Sequence, residues 1–193
     1  LAVWEGKTRF PRLRQDSFVR LHFFFAFRKS GVQGACPKYM TSERVKTVNA
    51  AMRGNPDWQK VLDIILQAYG CPTGTLHKWD DLRAMLELVA HRGIPRELMD
   101  KVERIPMGKG IAGAAAERME PVQICNLQTD TTGVARPKAK KTQVGGSVAV
   151  PIDMGGLLMG TLGIGKTEPY EFTPEETKEL LQIAHNIAEK WMG

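Results

Sequence analysis

The sequence predicts an α+β domain, and three observations carry that expectation. Two capped, amphipathic helices bracket the orderly part of the chain, and two apolar runs near the C-terminus are joined by a hairpin signal. The third is a glycine-rich turn whose following helix is too short to return the chain to a parallel strand.

The first 39 residues stand apart in composition. They hold eight of the basic residues and only two of the acidic ones, so the whole net charge of +6 resides there and the remainder is formally neutral. They also hold six of the seven Phe and none of the nine Met, the first of which is Met40. The apolar cluster LHFFFAF is too short for a membrane span and too far from the terminus for a signal peptide, and Trp4, Phe10 and Phe18 follow no regular period. A basic aromatic tail, a cleaved presequence and sequence ahead of a start at Met40 are the three readings. The third is favoured, with residues 1–39 outside the native protein and residues 40–193 forming one domain. A nucleic-acid role would rest on that first segment alone. Three scattered cysteines, Cys36, Cys71 and Cys125, make neither a CxxC pair nor a disulfide framework and suit a reducing cytoplasm.

From Thr41 the elements follow in order. A polar helix is expected near Ser42 to Met52, ending at Gly54. Asn55 and Pro56 then cap a second helix, whose Trp58, Val61, Leu62, Ile65 and Tyr69 recur at helical spacing until Gly70 stops it. CPTGTLHKW reads as a short strand, and Asp80-Asp81 as a turn. LRAMLELVAH fits helix and strand about equally. IPRELMDKV gives one or two helical turns, AGAAAERM a short helix and PVQIC a short strand. Residues 126–146 form a long polar connection, a length usual for functional lids. SVAVPID and GLLMGTLGI make a hairpin through Met154-Gly155. Thr173, Pro174 and Glu176 make a capping box that opens the last helix, striped by Leu180, Leu181, Ala184, Ile187, Ala188 and Trp191.

Gly108, Gly110 and Gly113 match the dinucleotide pattern GxGxxG, with Asp130 at roughly the twenty-residue distance expected of a ribose-binding acid. The context fails. KVERIPM before the glycines is too charged for a buried parallel strand, and the helix after them breaks at Glu120-Pro121, short of the dozen or so residues a crossover needs. Gly160 and Gly165 to Thr167 complete a P-loop pattern, but Pro169 follows where a helix should. His22, His77, His91 and His185 are dispersed without metal-ligand spacing, so neither a metal nor a cofactor is expected.

The ordered set IPMGKGIAGAAAERMEPVQICNLQTD, SVAVPIDMGGLLMGTLGI and PYEFTPEETKELLQIAHNIA resembles a GAF domain over roughly Asn55 to Met192. The resemblance implies a GAF/PAS-like central antiparallel sheet flanked by helices, with LRAMLELVAH as a strand and a ligand pocket under the loop after PVQIC. It also implies terminal helices packed together and available for dimerisation. Candidate ligand-binding residues are then His91 and Arg92 at a strand end, Cys125 and Asn126 at the loop entrance, and Asp130, Arg136 and Lys141 within it. The lid's excess of positive charge, from Arg136, Lys138, Lys140 and Lys141, favours a small anionic ligand. One enzymatic branch of that family, the free methionine-(R)-sulfoxide reductases, carries Cys where this sequence has Ala112, and further loop cysteines that this one lacks. Cys125, within PVQIC, is expected to be a buried, inert thiol. The reading is therefore a non-catalytic sensory or regulatory module acting in signal transduction through a dimer or a signalling protein partner. The alternative is an atypical reductase using Cys125 or Cys71.

Overall fold

The computed structural model describes residues 42–127 and 144–193. The expected boundary at Met40 and most of the lid therefore lie outside the described residues.

Helix α1, Glu43–Ala51, begins where the Ser42 hydroxyl accepts the Val45 amide at 3.3 Å. Helix α2, Trp58–Tyr69, is opened by Asp57 rather than by Asn55 and Pro56. The Asp57 carboxylate accepts the amides of Gln59 at 3.0 Å and Lys60 at 3.3 Å, which a side chain two residues earlier is not placed to do. Gly70 ends α2 in the left-handed conformation with φ 61°, as expected of a glycine just past a helix.

Strands β1, Thr73–Asp80, and β2, Met85–Arg92, form a hairpin through a turn in which Asp80 accepts the Leu82 and Arg83 amides. LRAMLELVAH is thus mainly a strand, because Met85 to Arg92 pair with β1, Ala90 burying on the Leu76 face of the sheet and Leu86, beyond a bulge, on the other. A 3₁₀ turn over Arg96–Leu98 leads into the one-turn helix α3, Met99–Val102. Next comes β3, Arg104–Pro106, a strand that the proline and charges had hidden. It lies at the sheet edge, where a residue without an N–H is tolerated. Helix α4, Gly110–Arg118, and strand β4, Val122–Ile124, precede the hairpin of β5, Ser147–Met154, and β6, Leu157–Gly165. Helix α5, Pro174–Met192, starts at the full capping box of Thr173 and Glu176.

The six strands run in the order β3-β2-β1-β6-β5-β4, and every neighbouring pair is antiparallel. The fold is α+β, with the first and last long strands pairing at the centre of the sheet. Alternation divides each strand between two faces. Leu76, Val148, Val150, Ile152, Leu162 and Ile164 meet the apolar sides of α1, α2 and α5 in one continuous core. There Trp58 meets Trp191 edge-on at 5.5 Å between ring centroids. The opposite face carries α4, whose Ala114 and Ala115 sit against Ala149 and Val122. Small side chains on both sides let that helix approach the sheet closely.

Candidate functional site

A cavity of about 160 Å³ lies on the α4 face of the sheet. Its floor follows from strand register. Thr73 and Thr75 of β1 stand opposite Gly165 and Gly163 of β6, which in turn stand opposite Ser147 and Ala149 of β5. Two glycines in the central strand therefore leave a trough between flanking side chains. The walls are Ile94, Leu127 and Val144, together with Ile111 and Ala112 from the first turn of α4. Leu127 and Val144 belong to the long connection after PVQIC, the rest of whose course over residues 128–143 lies outside the described residues.

The glycine motif builds one wall. Gly108 and Gly110 have φ of +72° and +68°, conformations that favour glycine. Gly113 packs so tightly that an added Cβ would stand 2.6 Å from the Pro106 carbonyl oxygen. The turn is locked by the Gly108 amide donating to the Gly113 carbonyl at 2.8 Å and the Lys109 amide to Pro106 at 3.1 Å. What resembles a dinucleotide loop is thus a junction between an edge strand and a nine-residue helix.

The residues singled out from the sequence are not gathered at this cavity. Arg92 is turned to α2, where its guanidinium binds the Asp63 carboxylate at 2.7 and 2.6 Å and holds that carboxyl below its ordinary pKa. His91 exchanges backbone hydrogen bonds with the Gln59 side chain and lies in a separate surface hollow with Glu87, Met99 and Glu103. The physical reason is strand order, because β1 stands between β2 and β6 and supplies the floor in place of β2. Cys125 is exposed rather than buried, since β4 ends at Ile124, and its carbonyl accepts the Tyr170 amide at 2.9 Å. Asn126 is half-buried beside it. Asp130, Arg136 and Lys141 lie outside the described residues. Thr73, Thr75, Ile111, Ala112 and Gly163 were missed, although the TGT alternation already placed two hydroxyls on one face of a strand.

Two further groups bear on chemistry. Cys71 is buried behind β1, where desolvation pushes its thiol up to about 11 and leaves it protonated at neutral pH. His77 is fully buried on the α4 face of the sheet, and burial lowers it to about 4. No cluster of His, Cys, Asp and Glu suited to a metal ion occurs among the described residues.

This arrangement is a sheet with a cavity beside a short helix, and the GAF domain sequence profile matches residues 58–189. The chain belongs to the GAF domain family. Members of this family are generally ligand-binding regulatory modules. Among solved structures, this GAF domain is similar to that of a phosphoenolpyruvate-protein phosphotransferase from Coxiella burnetii. The two are 22% identical with a TM-score of 0.65, over 77% of this chain and 90% of that one. It is also similar to the free methionine-R-sulfoxide reductase of Neisseria meningitidis, in complex with its substrate, at 18% identity and a TM-score of 0.65, over 78% and 87% of the two chains. A type II enzyme of the same name from Thermoplasma acidophilum shows 17% identity and a TM-score of 0.56, over 77% and 94%. At these identities the likeness is one of fold. No curated protein matches the chain in sequence.

Proposed function

We propose that this GAF domain is a non-catalytic sensory module of signal transduction, in which a small ligand enters the cavity and orders the loop over it. The observation that carries the reading is Ala112. It supplies a methyl group to the cavity wall, at the position where the sequence resemblance implies a cysteine in the free methionine-(R)-sulfoxide reductases. Cys71 and Cys125 do not line the cavity, and attack on a sulfoxide needs a thiolate within reach of the bound substrate.

A route for the response starts at the base of the loop. The Gly145 and Gly146 amides donate to the carbonyls of Lys166 and Glu168, and the Tyr170 amide donates to Cys125. The Tyr170 hydroxyl donates in turn to Glu176 at 3.0 Å, in the first turn of α5. Arg44 of α1 pairs with the same Glu176 at 3.9 Å and with Glu179 at 3.3 Å, which ties α1 to the start of α5. A change in the loop is thereby passed to α1 and α5, the surfaces proposed to hold a second copy or a signalling partner in the cytoplasm. Asn126, Asp130, Arg136 and Lys141 are proposed to close on the ligand. No helix among the described residues is long and apolar enough to cross a membrane.

Thermal-shift screening with small metabolites tests the reading, and stabilisation by one of them is the expected result. The exposure of Cys125 favours the reductase alternative. Incubation with free methionine sulfoxide and dithiothreitol decides between the two readings. Turnover that disappears in Cys125→Ser would replace the sensory reading with the enzymatic one.

A further inference from the structure

The cavity is chemically two-sided. Ile94, Leu127, Val144 and Ala149 present hydrocarbon, whereas Thr73 and Thr75 present hydroxyls. Ser147 is already engaged, its hydroxyl donating to the Ile164 carbonyl at 3.1 Å. Neither threonine hydroxyl has a hydrogen bond to a described residue, although Thr73 is only 7% exposed. Both threonines line the cavity, where a ligand can take up these hydrogen bonds. Glycines leave the space beside them. The Thr73 methyl lies 2.9 Å from where a Gly93 Cβ would stand, and the Thr75 hydroxyl lies 3.2 Å from where a Gly163 Cβ would stand, on the cavity floor.

The first turn of α4 forms a wall of the same cavity through Ile111 and Ala112, and Lys109 at its N-cap makes no side-chain cap. A helix start directs amide N–H groups and partial positive charge toward whatever lies there. The amides can only donate and a hydroxyl can donate as well as accept, so an anionic acceptor satisfies both. Size narrows the class further, because a cavity of about 150 Å³ holds a molecule such as benzene, and the cavity here is about 160 Å³. A nucleotide is far larger.

We propose that Thr73, Thr75 and the first turn of α4 form a subsite for the carboxylate of a short branched aliphatic acid, whose chain lies against Ile94, Leu127 and Val144. This rests on the sensory reading of the same cavity and adds the ligand class and the residues that select it.

The test is a titration of the isotopically labelled protein with 4-methylpentanoate, its neutral isostere 4-methylpentanamide, and benzene, following the methyl resonances of Ile94, Ile111, Leu127 and Val144. The acid is expected to bind roughly ten-fold more tightly than the amide. Thr75→Val and Thr73→Val should each weaken the acid roughly ten-fold while benzene binding is unchanged. Thr75→Ser, which keeps the hydroxyl, should retain the acid and guards against a folding defect in the valine variant. Equal binding of acid and amide, or valine variants with unaltered affinity, would overturn the subsite and leave a ligand cavity in place. If no probe moves these methyls, the subsite and the cavity reading fall together.

Discussion

The imidazole Nε2 of His77 stands 2.8 Å from the carbonyl oxygen of Val102, tying β1 to α3 on the sheet face that holds the cavity. A carbonyl only accepts, so Nε2 carries the proton, and Nδ1 is left as a buried lone pair with no partner. Protonating Nδ1 would place a charge where nothing accepts it, which is why burial lowers this group from 6.5 to about 4. The unfolded chain therefore binds the proton more readily between those values. Stability from this group is full above pH 6.5 and declines as pH falls toward 4, by about 3 kcal/mol across the window. Urea unfolding measured from pH 7.5 to 4.5 should show the decline, and His77→Gln should flatten it. Equal slopes in the two proteins would exclude His77 as the cause.

The junction between the loop base and α5 converges on one carboxylate. Glu176 accepts the Thr173 amide at 3.0 Å and the Tyr170 hydroxyl, while the Thr173 hydroxyl accepts the Glu176 amide at 3.2 Å. Glu176→Ala removes the reciprocal half of the cap and the tyrosine contact, and is expected to cost about 1–2 kcal/mol in chemical unfolding. Tyr170→Phe should leave the cap intact but lower amide-exchange protection at the start of α5. Unchanged exchange there would break the proposed route from loop to helix.

The parts of the fold that were legible in the sequence are those set by neighbours along the chain. Thr173, Pro174 and Glu176 carry their helix start within four residues, and Gly70 stops α2 by its own conformation. The cavity floor depends instead on β1 pairing with β6, residues nearly ninety positions apart, as in Thr75 opposite Gly163. No local period encodes that partnership. His91 and Arg92 looked suited to a pocket because their chemistry is suited to ligands, but Asp63 on α2 already holds the Arg92 guanidinium, and Gln59 ties the His91 backbone to α2, in a hollow separate from the cavity. Cys125 looked buried because it ends an apolar run, yet the strand stops one residue before it. Pro106 hid β3 for the opposite reason, since a proline that argues against a central strand is compatible with an edge.

The two described thiols should separate cleanly by reactivity. Cys125 is exposed, whereas Cys71 is buried and its thiol is held protonated, with Sγ 3.7 Å from the Tyr69 carbonyl. Brief alkylation of the native protein with iodoacetamide, followed by peptide mass spectrometry, is expected to modify Cys125 and spare Cys71. In denaturant both should react. Rapid native modification of Cys71 would mean that the segment covering it opens far more readily than its burial implies.

Two glycines make opposite predictions about stability and binding. At Gly113 an added methyl would stand 2.6 Å from the Pro106 carbonyl and 3.3 Å from the Gly108 nitrogen, both held by backbone hydrogen bonds that cannot yield without opening the turn. Gly113→Ala is therefore expected to cost about 1–3 kcal/mol in urea unfolding, the range for overpacking a site that cannot relax. At Gly163 the nearest atoms are the Thr75 hydroxyl at 3.2 Å and the Ala149 Cβ at 4.0 Å, and the new methyl would sit on the cavity floor. Gly163→Ala should leave the unfolding midpoint nearly unchanged while reducing ligand affinity, because it removes space where the ligand must lie. If Gly163→Ala proves the more destabilising of the two, the trough beside Thr75 is filled in solution and is not a binding floor.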